Sequence, residues 1–229
     1  MKSCFIIAEA GVNHNGSVDQ ALNLLAIAAN SGADAVKFQT FTSEKIASRF
    51  APKADYQKKS TSSTDSQLEM LRRLELSSSA HETLLEQSKQ LGIEFMSTPF
   101  DHQSLDFLVG LPVKRLKIPS GEITNAPLLL HFAESGLPLI LSTGMSNLGE
   151  IEEALWVLAF WWLFPRVYPS RDGFRKAFNS PEGQALLKEK VTLLHCTTEY
   201  PAPHTEVNLS AMETLKAAFA LPVGFSDHT

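Results

Sequence analysis

Seven short apolar or β-branched runs, each ending in small or polar residues and each followed by a helix-like stretch, set the strongest limit on what this chain can fold into. The runs are FIIAEAG (5–11), AVKFQTF (35–41), IEFMSTPF (93–100), RLKIPSGE (115–122), PLILSTGM (138–145), VTLLHCTTEYP (191–201) and LPVGFSDHT (221–229). Helical periodicity covers Val18 to Ala29, Ser79 to Leu91, Pro127 to Glu134, Glu150 to Leu163 and Ala211 to Phe219. Nearly continuous apolar strands alternating with helices, joined by short turns such as SGAD, QLGI and ESGLP, belong to a parallel sheet with helices outside it. Two architectures fit: a doubly wound sheet and a (β/α)8 barrel.

The polar residues favour the barrel. Almost every run carries reactive or hydrogen-bonding side chains at its C-terminal end: Glu9, Lys37, Gln39, Thr98, Lys117, Ser120, Glu122, Ser142, Tyr200, Ser226 and His228. In a barrel all such ends converge on one mouth, whereas an open sheet gathers ligands at its switch point. A closed barrel has eight strands and about 250 residues. With seven runs in 229 residues, the expectation is one α/β domain over 1–229, of TIM-barrel type and truncated after strand seven. No internal repeat or interdomain linker interrupts it. Two connections are long: 42–78, with the polar stretch KADYQKKSTSSTDSQ, and 146–190, with an apolar helix followed by PSRDGFRKAFNSPEGQ. Each reads equally as a lid at the mouth or as a solvated insertion.

Charge and composition narrow the function. Twenty Lys and Arg against 25 Asp and Glu give a formal charge of −5 with no basic run, so a nucleic-acid partner is not expected. The most apolar segment, LWVLAFWWLF from Leu155, is about half the ~20 residues a membrane span requires, and reads as a buried or partner-facing helix. The apolar stretch Cys4 to Ala8 is too short for a secretory signal, so a cytoplasmic protein without membrane contact is expected. Cys4 and Cys196 make no disulfide framework, and each lies in an apolar run where a buried thiol is the default. HExxH, CxxC, Walker A and GxGxxG patterns do not occur, which removes support for zinc-protease, redox, nucleotidase and dinucleotide readings.

The strand-end residues point to an anion. Lys37 and Lys117 supply ammonium charges, and Ser120, Ser142 and Ser226 supply hydroxyl donors suited to phosphate or carboxylate oxygens. Glu9 and Glu122 suit acid–base work or a sugar hydroxyl, and equally an ion pair with Lys37 or Lys117. His228, after Asp227, fits a metal ligand, an acid–base group or a hydrogen-bonded core histidine. His195 reads as packed and hydrogen-bonded near the site. His14, in NHNG, reads as a turn residue able to touch substrate. His81, His102, His131 and His204 have no partner at metal-ligand spacing.

Taken together, IAEAGVNHNGS, AVKFQTF, APKADYQKKS with SQLEMLRRLELS, FMSTPFD, LKIPSGEITNAPLL, LILSTGM, LLHCTTEYPAP and GFSDHT closely resemble the bacterial N-acetylneuraminate (sialic acid) synthase family. The resemblance covers the chain except 157–190. It implies a catalytic (β/α)8 barrel followed by a small antifreeze-like domain, a homodimer, and condensation of phosphoenolpyruvate with an open-chain N-acylated amino sugar such as N-acetylmannosamine. It further implies that Lys37 and Thr98 hold the phosphoenolpyruvate carboxylate, and that Lys117, Ser120, Ser142 and Ser226 hold its phosphate. Gln39, Glu122 and Tyr200 would contact the sugar, with Glu9 beside the reacting carbons. His228 would be one of two histidines on a divalent metal, Mn²⁺ or Mg²⁺.

The match has departures. The family's second metal histidine, a sugar-binding aspartate and an arginine from the antifreeze-like domain fall past Thr229, and Thr198 stands where some members carry asparagine. The alternatives are a legionaminate or pseudaminate synthase using diacetylated bacillosamine-derived sugars, a non-catalytic barrel fragment, and an aldolase-type barrel with a Schiff-base lysine at Lys37 or Lys117.

Overall fold

A computed structural model describes residues 4–51 and 66–229. Most of the KADYQKKSTSSTDSQ stretch falls outside the described residues. The chain divides into two compact units, one ending at Lys114 and one running from Arg115 to Thr229.

In the first unit β1 (Ile7–Gly11), β2 (Ala35–Thr40) and β3 (Glu94–Pro99) pair in parallel in the order β1-β2-β3. The register sets Glu9 opposite Lys37 and Gln39 opposite Thr98. A bulge between Glu9 and Gly11 shifts β1 so that Gly11 faces Phe38, which re-aims the end of the strand. Helices α1 (Val18–Asn30), α2 (Ser43–Ile46), α3 (Gln67–Arg72), α4 (Ser78–Leu91) and α5 (His102–Val109) belong to this unit. Their starts follow from capping: Ser17, Ser66, Ser77 and Asp101 each accept a backbone N–H of the first turn. The apolar faces bury Leu25, Leu84 and Leu105 completely, and Phe38 stacks on Phe95 with ring centroids 5.9 Å apart.

In the second unit β4 (Leu116–Ile118), β5 (Leu139–Ser142), β6 (Val191–Cys196) and β7 (Val223–Ser226) pair in parallel in the order β4-β5-β6-β7. Ser142 is in register with Leu194, and Cys196 with Ser226. Helices α6 (Ala126–Glu134), α7 (Leu148–Leu163), α8 (Arg171–Phe178), α9 (Pro181–Lys190) and α10 (Ser210–Phe219) accompany it. A complete capping box between Asn147 and Glu150 starts α7. This strand–helix alternation with parallel pairing throughout is of TIM-barrel type, with seven strands among the described residues.

Three expectations need correction. The 146–190 connection is not a lid loop: α7, α8 and α9 fill it and pack together, with Phe160 and Phe174 in edge contact at 5.0 Å. The segment around Leu155 is buried, as its apolar character required. Cys4 is exposed and Cys196 only half-buried, so neither thiol is a core residue. Finally α2, α3, α5, α8 and α9 go beyond the helices that periodicity marks; they are short, and all but α2 start at a side-chain cap.

Candidate functional site

All strands of a parallel sheet point the same way, so the strand ends of each unit lie on one side of its sheet. In the first unit this brings together Glu9, Lys37, Gln39 and Thr98. The Lys37 side chain is 10% exposed, and its ammonium forms an ion pair with the Glu9 carboxylate, itself 33% exposed. Lys37 Nζ also donates to Thr98 Oγ1 at 3.2 Å. Of the two readings left open for Glu9, the pairing with Lys37 is the one observed.

Gly11 completes this corner. Its backbone is left-handed (φ +54°), and a side chain there would lie 3.2 Å from Glu9 Oε1 and 3.7 Å from Gln39 Nε2. Glycine satisfies both the conformation and the space.

Behind this corner lies a buried polar chain that the sequence did not reveal. His81 Nδ1 is 3.0 Å from the Ser77 carbonyl, an acceptor only, so Nδ1 carries the proton and Nε2 accepts from Thr40 Oγ1 at 2.8 Å. Thr40 Oγ1 is in turn 2.7 Å from Ser97 Oγ. His14 is fully buried and does not line a surface where substrate could touch it. Its Nδ1 accepts from Gly16 N at 3.0 Å, which places the proton on Nε2, a buried atom with no hydrogen-bond partner. Burial holds both imidazoles below the usual histidine range, and the neighbouring His81 lowers His14 further.

In the second unit the expected residues follow the strand ends from β4 to β7. Lys117 lies half-buried within β4. Ser120 and Glu122 lie on the 3-10 turn after it, and Glu122 Oε2 accepts from Asn125 Nδ2 at 2.7 Å. Asn125 also caps α6 through Leu128 N, so Glu122 is braced by a residue that sequence reading passed over. Ser142 is buried at the end of β5. Two residues on, Gly144 N donates to Cys196 Sγ at 3.1 Å, and a side chain on Gly144 would lie 3.3 Å from Ser120 Oγ and 3.4 Å from Thr198 Cγ2. The Thr198 atom closest to this position is its Cγ2 methyl carbon.

His228 Nε2 is 3.2 Å from Ser226 Oγ, and its ring meets the Tyr200 ring edge-on at 4.5 Å. Tyr200 is 43% exposed. His195 is packed as expected, bonded to the Val207 carbonyl at 2.7 Å and stacked on Phe225. Among the described residues no group of three or more His, Cys, Asp or Glu could hold a metal ion. The imidazole of His228, already beside Ser226 Oγ, does not make a coordination shell alone.

What this arrangement offers is a charged carboxylate–ammonium corner in the first unit and, in the second, Ser120 beside a bare glycine with Ser142 and Ser226 at the ends of β5 and β7. No helix among the described residues is long and apolar enough to cross a membrane. Comparison with known proteins agrees with the motifs. The chain is 51% identical over its whole length to N,N'-diacetyllegionaminic acid synthase of Campylobacter jejuni, covering 62% of that protein. It is 50% identical over 99% of its length to the Legionella pneumophila enzyme of the same name, covering 58% of it. It therefore spans about three fifths of these relatives.

Among solved structures, the N-acetylneuraminic acid (sialic acid) synthetase of Leptospira borgpetersenii, in complex with citrate, superimposes with a TM-score of 0.74 at 34% identity, over 100% of this chain and 66% of that one. With the NeuB family model matching residues 24–229, strand-end residues, fold and relatives agree that this chain belongs to the NeuB family.

Proposed function

We propose that this chain is the barrel part of a synthase that condenses phosphoenolpyruvate with a diacetylated, bacillosamine-derived amino sugar, giving a legionaminic-type acid and phosphate. The choice of sugar is carried by one observation, the 51% and 50% identity to two proteins named N,N'-diacetyllegionaminic acid synthase. N-acetylmannosamine, the acceptor first expected from the resemblance, becomes the second choice.

The roles follow from charge and donor type. Lys37, held by Glu9 and Thr98, takes the phosphoenolpyruvate carboxylate as a fixed point charge. Ser120, Ser142 and Ser226 donate hydroxyl protons to the phosphate, with Lys117 as its counter-charge. Carbon 3 of the enol attacks the sugar aldehyde and forms the C–C bond. Water adds to carbon 2, and the resulting tetrahedral centre expels phosphate by C–O cleavage. Glu9 is the carboxylate placed to move a proton in these steps. Glu122, braced by Asn125, and Gln39 and Tyr200 contact sugar hydroxyls or acyl groups.

The test is phosphate release by the full chain with phosphoenolpyruvate and each sugar in turn. The diacetylated sugar should give the higher kcat/KM, and phosphoenolpyruvate labelled with ¹⁸O at the bridging position should deliver the label to phosphate. Preference for N-acetylmannosamine overturns the choice of sugar. Label retained on carbon overturns the reaction.

A further inference from the structure

Gly144 brings together residues from three strand ends of the second unit. Its amide donates to Cys196 Sγ at 3.1 Å. A Cβ built on it would lie 3.1 Å from the same sulfur, 3.3 Å from Ser120 Oγ and 3.4 Å from Thr198 Cγ2. These distances are at or below ordinary van der Waals contact. Gly144 is not among the residues with positive φ. Alanine therefore meets no backbone penalty there, and glycine is present for space. Cys196 stands opposite Ser226 in the β6–β7 register, and Ser142 precedes Gly144 by two residues on β5. Any outward push on Cys196 or Ser120 is consequently transmitted to elements that carry three hydroxyls.

We propose that Gly144 is a positioning residue for the phosphate end of the substrate. Its bare Cα lets the turn after β4 close on β5 and β6 and fixes the spacing of Ser120, Ser142 and Ser226. The Cys196 thiol contributes as the acceptor that anchors the Gly144 amide. This rests on the phosphoenolpyruvate reading above and adds to it the residue that sets the hydroxyl geometry. A methyl group at position 144 forces Ser120 Oγ and Cys196 Sγ apart by a few tenths of an ångström. A hydrogen bond to an anion senses such a shift, whereas packing elsewhere does not.

The experiment is calorimetry on the full chain with three probes: phosphoenolpyruvate, inorganic phosphate, and pyruvate, which offers the carboxylate without the phosphate. Gly144→Ala should weaken phosphoenolpyruvate and inorganic phosphate at least tenfold while pyruvate affinity stays within twofold. Adding Cys196→Ala to Gly144→Ala removes the closest contact and should recover at least threefold of the loss. Should Gly144→Ala not fold, Cys196→Val, which grows into the same space from the opposite side, must give the same selective loss with a native melting curve.

Phosphoenolpyruvate binding by Gly144→Ala within twofold of the unsubstituted chain overturns the proposal, as does an equal loss for pyruvate and phosphate. If the unsubstituted chain binds neither phosphate probe, the functional reading falls and this inference falls with it. If Lys117→Ala and Gly144→Ala separate, with only the former weakening phosphate, the functional reading stands and this inference alone is wrong.

Discussion

The Glu9–Lys37 pair makes a prediction whose sign is set by unequal burial. The Lys37 side chain is 10% exposed and the Glu9 side chain 33%. At contact distance with an effective dielectric near 20, opposite charges attract by about 4 kcal/mol, most of it offset by desolvating the ammonium. Removing Glu9 leaves a buried ammonium with Thr98 as the acceptor still observed on it. Removing Lys37 leaves a carboxylate that can turn to water. Glu9→Gln should therefore cost about 2–3 kcal/mol of unfolding free energy, below the ~3–5 of a fully uncompensated charge because the amide oxygen still accepts one hydrogen bond from the ammonium. Lys37→Met should cost about 1 kcal/mol, since its replacement keeps the buried aliphatic volume. Urea unfolding of both single variants and the double variant at pH 7.5 measures these values, and the double variant should resemble Lys37→Met. Equal costs, or a larger cost for Lys37→Met, would refute the claim that burial of the ammonium governs this corner.

Three further outcomes follow from burial, backbone conformation and ion pairing in the same unit. His14 and His81 are held neutral by burial, so their folded pKa values lie below the unfolded value near 6.5. The unfolded chain binds protons first, and stability is full above about pH 6.5 and falls as pH drops below it toward the folded values, by up to about 1.4 kcal/mol per pH unit for each histidine; urea midpoints unchanged between pH 7.5 and 5.5 contradict it. Gly16 has φ +78°, and a side chain there would collide with the Arg73 carbonyl, so Gly16→Ala should cost more than about 2 kcal/mol in a thermal melt, and an unchanged Tm would show that the loop gives way. Borohydride added with pyruvate should label neither Lys37 nor Lys117 by mass spectrometry, because the Lys37 ammonium is engaged by Glu9; a label on either lysine would restore the aldolase-type alternative.

The strands and the longer helices were legible because a buried parallel strand is a run of apolar residues and a surface helix repeats every 3.6 residues. The short helices were written in a different signal. Asp101, Ser170 and Ser180 each accept from the backbone N–H three residues on, and a capping residue before a mostly polar segment is easily read as loop. The candidate site was legible where a charged or hydroxyl side chain stands at a strand end, which is how Lys37, Thr98, Ser142 and Ser226 were singled out. It was not legible where the contribution is space or a distant partner. Gly144 has no side chain to notice, and the His81–Thr40 bond joins positions 41 apart. The Thr198 methyl contact is a rotamer, which composition does not record.

The helical 146–190 segment divides stability from chemistry in the second unit. Trp162 Nε1 donates to the Ala133 carbonyl of α6 at 3.0 Å, and Arg171 at the start of α8 pairs with Glu153 of α7 at 2.8 Å. Two glycines let the helices approach: a side chain on Gly173 would lie 2.8 Å from the Phe160 ring, and one on Gly183 would strike the Ala177 carbonyl. A cavity of about 290 Å³ remains between α6, α7 and α8, lined in part by Leu129, Trp156, Val157 and Phe174. The exposed Glu153–Arg171 pair adds little, so these helices are held mainly by apolar burial, with Ile151, Leu155, Leu158 and Phe160 of α7 and Leu187 of α9 all buried. None of the strand-end residues assigned to substrate lies within the segment. Substitutions within it should therefore change stability while α7 still starts at its Asn147–Glu150 capping box and the Ser142 to Gly144 turn just before that box keeps its geometry.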